Sequence, residues 1–148
     1  MSNTPTFSVI TVVYNEAKNL EKTIQSVVLQ SYEFIDFIVI DGGSTDGTLD
    51  VIKKYEPFIS FWSSEPDSGI YDAMNKGIEK ATGDYVNFLN AGDCYYDQVV
   101  LSKVARELNL KLDVVYGDCY VKGSRRSDGI KQSSELEQIA SGMIFCHQ

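Results

Sequence analysis

Short apolar runs alternating with amphipathic stretches constrain this chain more than any other feature. Residues 7–14 read Phe-Ser-Val-Ile-Thr-Val-Val-Tyr, residues 34–40 Phe-Ile-Asp-Phe-Ile-Val-Ile, and residues 85–89 Tyr-Val-Asn-Phe-Leu. Runs so nearly continuous in Val, Ile and Phe suit strands covered on both faces, as in a parallel sheet. A further run lies within 112–121, and a shorter one at 58–62. Helical spacing fills the intervals. Leu20, Ile24, Val27 and Val28 recur at that spacing up to about Gln30. Leu49, Val51 and Ile52 follow Ser44-Thr45-Asp46-Gly47, a good N-cap cluster. Residues 70–81 put Ala73, Met74, Gly77 and Ile78 on one face, with Gly83 just past the end, and residues 99–108 form a fourth helix. The order β-α-β-α-β-α-β-α-β predicts an α/β domain whose mostly parallel sheet carries helices on both faces.

At 148 residues the chain reads as one domain. Its 43% hydrophobic and 23% charged residues exclude wholesale disorder. No apolar run approaches the roughly 20 residues of a spanning helix. Met1-Ser2-Asn3-Thr4-Pro5 lacks the basic and apolar parts of a signal peptide. With 21 Asp+Glu against 13 Lys+Arg, the net charge is −8. Tracking a nucleic acid backbone needs the opposite balance, so no nucleic acid partner is expected. Cys94, Cys119 and Cys146 are odd in number and form no Cys-x-x-Cys. They fit a reducing cytoplasm better than a disulfide framework or a zinc site. Residues 122–134 are polar and basic and read as a hairpin or mobile loop. The sequence stops at His147-Gln148 with no obvious closing element, so the ending reads as cut.

In an open α/β sheet, ligands sit beyond the carboxyl ends of the strands. Four successive strand ends here carry Tyr14-Asn15-Glu16, then Asp41-Gly42-Gly43-Ser44-Thr45-Asp46-Gly47, then Glu65-Pro66-Asp67-Ser68-Gly69, then Asn90-Ala91-Gly92-Asp93. Each brings a carboxylate or carboxamide, with glycine beside three of them. Thr45 and Asp46 are turn and cap residues by type. Asp41 ends an apolar strand; it reads equally as a turn residue and as a carboxylate in a solvated crevice, accepting hydrogen bonds from a base edge. Tyr14 is either a half-buried core aromatic or a ring on which a base stacks. Asn90 to Asp93 is either a turn or the hard-oxygen site that Mg²⁺ or Mn²⁺ shares with a diphosphate, where glycine lets phosphate approach the backbone. Lys76 reads as a solvated helix lysine and His147 as idle. Arg125 and Arg126 read as a solvated loop or as anion ligands.

Together, Ser8-Val-Ile-Thr-Val-Val-Tyr-Asn-Glu16, Ile40-Asp-Gly-Gly-Ser-Thr-Asp-Gly-Thr48, Glu65-Pro-Asp-Ser-Gly-Ile-Tyr-Asp-Ala-Met-Asn-Lys-Gly77 and Gly83-Asp-Tyr-Val-Asn-Phe-Leu-Asn-Ala-Gly-Asp93 resemble glycosyltransferase family 2, with the nucleotide-binding half of the GT-A fold. They span most of residues 7–97, in the family's order and spacing. Tyr-Asp-Ala-Met-Asn-Lys-Gly and Asn-Ala-Gly-Asp, with Tyr116-Gly117-Asp118 and His147-Gln148, are similar to the branch that builds bacterial capsule, O-antigen or colanic-acid-type polysaccharides.

The resemblance implies a Rossmann-like GT-A domain over residues 1–148 that takes a nucleotide-diphosphate sugar, a UDP-sugar before a GDP-sugar. Thr11, Tyr14, Asn15 and Glu16 would line the base and ribose pocket, and Asp41 would bind the base edge. Asp67, Gly69 and Asn75 would border the ribose and diphosphate. Residues 90–93 occupy the place of the family's Asp-x-Asp, but Asn90 and Gly92 stand where aspartates are common. Asp93 is thereby the expected ligand of Mg²⁺ or Mn²⁺, with Asn90 reaching the ion indirectly or through water and Ala91 bordering the nucleotide. The acceptor half and its general base would lie beyond Gln148; Asp118 and Glu135 are the nearest candidates within the chain. Transfer to a glycan or lipid-linked acceptor, with inversion, follows from the resemblance. So does a cytoplasmic place at the inner face of the membrane, with peripheral association. An open acceptor side would expose an apolar patch or pair with a neighbouring chain, which raises a homodimer.

Two other readings compete. A nucleotide-sugar-binding module would keep the pocket without turnover. A receiver-like or flavodoxin-like domain would need an acidic pair, or a Ser/Thr-rich phosphate loop, after the first strand; the sequence there is Asn15-Glu16.

Overall fold

The computed structural model describes residues 4–108, 113–115, 117, 119–121 and 129–131. Tyr116, Asp118, Arg125, Arg126, Glu135, Cys146 and His147 lie outside the described residues.

Four parallel strands form the main sheet: β1 (Phe7–Val13), β2 (Ile35–Asp41), β3 (Phe61–Ser64) and β4 (Tyr85–Phe88), in the order β3-β2-β1-β4. Every residue of β1 is buried, as expected of a run covered on both faces. Four helices connect and follow them: α1 (Ala17–Val28), α2 (Thr48–Tyr55), α3 (Ile70–Lys80) and α4 (Val100–Leu108).

The alternation of side chains along each strand divides the core. Phe7, Val9 and Val13 of β1 and Phe37 and Val39 of β2 pack with Leu20, Ile24 and Val27 of α1, Ile52 of α2, and Leu101, Ala105 and Leu108 of α4. Ile10, Val12, Ile38 and Ile40 face the other way, onto Ala73 and Met74 of α3. Helices therefore cover both faces. Gly77 brings α3 close to the sheet, since a Cβ there would stand 2.4 Å from Ile10 Cγ2. Ile78, expected on the packed face, is half exposed.

Three expectations about elements need correction. The third strand is not 58–62 but Phe61–Ser64, because Glu56-Pro57-Phe58 turn as a 3₁₀ segment with proline in its first turn. Gly83 does not cap α3; a Cβ at Gly83 would come within 2.7 Å of Ser8 N and Thr6 O, so the chain needs glycine to pass the start of β1. Among the described residues, the run at 112–121 adds no fifth strand to the sheet. Residues 113–115 are not strand, and β5 (Cys119–Val121) pairs antiparallel with β6 (Gly129–Lys131). Gly117 interrupts the apolar run, which leaves two short pieces. The antiparallel pair fits the hairpin reading of residues 122–134, with β5 just before that stretch and β6 within it.

From β1 the chain builds outward through β2 to β3, then returns by α3 to place β4 on the other side of β1. The order thus reverses at β1. The crevice at the carboxyl end of β1, between the ends of β2 and β4, is the switch point where such sheets bind ligands.

Candidate functional site

The segment after β2 is built around Asp41. Its carboxylate is fully buried and accepts from Ser44 N at 3.0 Å, from the Ser44 hydroxyl, and from Ser64 Oγ at 2.6 Å. The expected carboxylate in a solvated crevice is instead an interior one, committed to the turn that follows it. Local chemistry explains this: a serine three residues on closes an Asx-type turn, and β3 delivers Ser64 opposite Asp41 in the ladder. Thr11 is likewise fully buried, with its hydroxyl donated to Leu89 O at 2.8 Å. Both residues support the crevice floor and do not face its opening.

Tyr14, by contrast, is 64% exposed, which rules out the core-aromatic reading. Asn15 adopts a left-handed conformation (φ 51°). Its N–H donates to Ser44 Oγ at 2.7 Å, and its Oδ1 accepts from Thr45 N at 2.8 Å. Asparagine tolerates that backbone better than most residues. Glu16 donates its N–H to Thr48 Oγ1 and accepts from Asn19 Nδ2 at 2.7 Å. The two loops are thus clasped to each other. Asp46 completes the clasp by accepting from Ala17 N at 3.2 Å and from Thr48 N and Oγ1 at 3.1 and 2.5 Å. These bonds, the Thr48 hydroxyl foremost, hold the Asp46 carboxyl below the usual range. The N-cap positions, Glu16 and Gly47, make no side-chain cap bond; Asp46, just before Gly47, instead reaches the first N–H of each helix.

Gly42 is where the second and third loops meet. A Cβ on Gly42 would stand 2.7 Å from Asp67 Oδ2 and 3.4 Å from Tyr14 Cδ2. Asp67 and Tyr14 therefore both close in on the space beside Gly42 at the mouth of the crevice. Asp67 Oδ1 accepts from Gly69 N at 2.8 Å, and Asp72 Oδ2 accepts from Ser68 N at 3.0 Å. Lys76, read from sequence as a solvated lysine, pairs with Glu65 at 3.0 Å and with Asp72 at 3.5 Å. Asn75 is exposed on α3.

The turn after β4 is fastened to the same crevice. Ala91 N donates to Val12 O at 3.1 Å, Gly92 N to Thr23 Oγ1 at 3.0 Å, and Asp93 N to Asn90 O at 2.9 Å. Asn90 Oδ1 is buried without a hydrogen-bond partner among the described residues. No three His, Cys, Asp or Glu side chains among the described residues come together to hold a metal ion. A carboxylate and an unpartnered amide oxygen on the same short turn are hard-oxygen donors of the kind a cation takes together with phosphate and water.

Sequence reasoning missed Ser44, Ser64 and Gly42 as parts of this arrangement. Ser44 was legible as an Asx-turn partner of Asp41; Ser64 required the β2–β3 register, and Gly42 the approach of Asp67.

Comparison with known proteins supplies the remaining context. A PGL/p-HBAD biosynthesis glycosyltransferase of Mycobacterium bovis is 32% identical over 149 aligned positions, which cover 97% of this chain and 57% of that one. The chain spans about half the length or less of the curated relatives it matches, from 36% to 57%. The structure of S. aureus TarS 1-349 in complex with UDP superposes with a TM-score of 0.74 at 27% identity, covering 86% of this chain and 38% of that one. The mannosyltransferase PcManGT from Pyrobaculum calidifontis, in complex with GDP-Man and Mn²⁺, gives 0.64 at 25% identity, covering 77% and 34%. Both neighbours have the GT-A fold, as this chain does. Among the described residues no helix is long and apolar enough to cross a membrane. The family model for glycosyl transferase family 2 matches residues 8–144, and with the crevice built as above, the chain belongs to that family.

Proposed function

We propose that this chain forms the donor-binding part of an inverting glycosyltransferase of bacterial cell-surface polysaccharide synthesis. It takes a sugar from a nucleotide-diphosphate sugar, UDP-linked before GDP-linked, and passes it to a glycan or lipid-linked acceptor. The observation that carries this reading is the approach of both Tyr14 and Asp67 to the open side of Gly42 at the switch point. The UDP complex of TarS supports a uridine donor, and the GDP-Man complex of PcManGT keeps guanosine second.

In this reading the Tyr14 ring stacks on the base, and Asn15 and Glu16 line the ribose. Asp41 and Thr11 shape the floor through the groups they hold. Asp67, Gly69 and Asn75 border the ribose and diphosphate, with Asn90 and Ala91 on the facing turn. Asp93 and the Asn90 amide oxygen would hold Mg²⁺ or Mn²⁺, which would supply neutralisation of charge on the departing diphosphate. The acceptor oxygen attacks the anomeric carbon as the bond to the phosphate oxygen breaks, and that oxygen keeps the electron pair. A base that this reading assigns outside residues 1–148 takes the acceptor proton. A lipid-linked acceptor brings the enzyme to the inner face of the membrane from the cytoplasm. Among the described residues β3 and β4 are the sheet edges, the places where a homodimer would pair.

Calorimetric titration with UDP and GDP, with Mn²⁺ and with chelator, tests the reading, followed by turnover of labelled UDP-sugars. Binding without turnover would favour the alternative, a nucleotide-sugar-binding module. Absence of binding to either nucleotide would overturn both.

A further inference from the structure

The loop between β3 and α3 presents Asp67 to the crevice, and a chain of charged and backbone contacts straps it down. Glu65 opens the loop, with its N–H donated to Asp41 O at 3.0 Å. Its carboxylate meets Lys76 Nζ at 3.0 Å, one and a half turns into α3. Lys76 also meets Asp72 at 3.5 Å, the i,i+4 pair of the same helix. Asp72 in turn accepts from Ser68 N at 3.0 Å, next to the Gly69 N–H that holds Asp67. Both ends of the five-residue loop are therefore tied to α3 through one ammonium group. The Lys76 side chain is 28% exposed and its two partners are more so. Exposed pairs of this kind add little to global stability. What the arrangement fixes is the position of one loop.

We propose that Lys76 is a positioning residue for donor binding, holding the loop of residues 65–69 so that Asp67 stays against Gly42 and Tyr14. The inference rests on the nucleotide reading of the crevice and adds a residue that touches no ligand. Without the ammonium, Glu65 and Asp72 stand near each other unneutralised, and the loop samples conformations that move Asp67 away. Apparent affinity falls by the fraction of time the loop is misplaced.

The test uses the whole chain and UDP with Mn²⁺ as the probe. Lys76→Met should weaken UDP binding about three- to tenfold, with an unchanged melting temperature and faster hydrogen exchange at the Ser68 and Gly69 amides. Lys76→Arg, which keeps the charge and the reach to both carboxylates, should restore binding and slow exchange. Glu65→Gln breaks the strap from the loop side, leaves α3 untouched, and should reproduce part of the loss. Unchanged UDP affinity, or unchanged exchange at residues 68 and 69, in folded Lys76→Met overturns the proposal while the nucleotide reading stands. Failure of arginine to rescue also overturns it. A wild-type chain that binds neither UDP nor GDP removes the nucleotide reading, and this inference with it.

Discussion

Asp41 and Ser64 stand at paired positions of β2 and β3, and the Ser64 hydroxyl donates to Asp41 Oδ2 at 2.6 Å. With Ser44 contributing its N–H and hydroxyl, three donors converge on one fully buried carboxylate. Asp41→Ala would strand those donors, at about 1–3 kcal/mol for each group left buried without a partner. The expected outcome is a loss of about 2–4 kcal/mol in urea unfolding, together with weaker UDP binding. A folded mutant within about 0.5 kcal/mol of wild type would show that Asp41 is no keystone of the turn.

Gly42→Ala separates binding from stability. The new Cβ would stand 2.7 Å from Asp67 Oδ2, the movable end of a side chain, so the carboxylate can swing away. Unfolding free energy should fall by less than about 1 kcal/mol, while UDP affinity falls roughly tenfold as Asp67 leaves its place. Equal affinity for both proteins would dissociate Asp67 from the nucleotide.

Asp93 and the cation it is assigned should be visible through thermodynamic coupling. One carboxylate makes a poor site alone, whereas diphosphate oxygens complete the octahedron. UDP should bind more tightly with Mn²⁺, and Mn²⁺ more tightly with UDP, by the same factor. Asp93→Asn should abolish most of that factor and, in an active enzyme, lower turnover on the order of a hundredfold. Calorimetry that finds the same UDP affinity with Mn²⁺ and with chelator would reduce residues 90–93 to a turn.

Asp36, at the opposite end of the sheet, gives a prediction about acid. Burial alone would raise its pKa, but it accepts from Thr82 N and Oγ1, each at 2.9 Å, and from Ser8 Oγ at 2.8 Å, and it ends below the usual carboxylate range. A depressed folded value means stability that is fully present above the ordinary carboxylate range and lost as pH falls through the folded one. Asp36→Ala should cost on the order of 2 kcal/mol near neutral pH, and the gap to wild type should narrow below about pH 4. Parallel urea midpoints from pH ~7 to pH ~3 would contradict this.

The architecture was legible because period and burial agree in this chain. The run 7–14 is apolar on both faces, and β1 is buried on both. The 58–62 run failed because proline at 57 and the turn it initiates outweigh a short apolar stretch. The 112–121 run failed because glycine at 117 divides it. At the site, residue type located the loops but not the direction of each side chain. Asp41 and Tyr14 end adjacent strands, yet one turns inward to serines and the other outward to solvent. That choice depends on Ser64, which the parallel register brings to Asp41 from 23 positions away. Lys76 reads as a solvated side chain for the same reason: its neighbour Asp72 is visible along the helix, whereas Glu65 arrives through the return of the loop.

The single carboxylate of Asp46 accepts from the first N–H of α1 on one oxygen and from the first N–H of α2 on the other, and so links the amino ends of the two helices. Displacing that one side chain removes a bond from each amino end, so the two ends should loosen together. In amide exchange the first turns of α1 and α2 would then share one protection factor, although 31 positions separate Ala17 from Thr48. A substitution at Asp46 would split that common value into two before it altered the melting temperature.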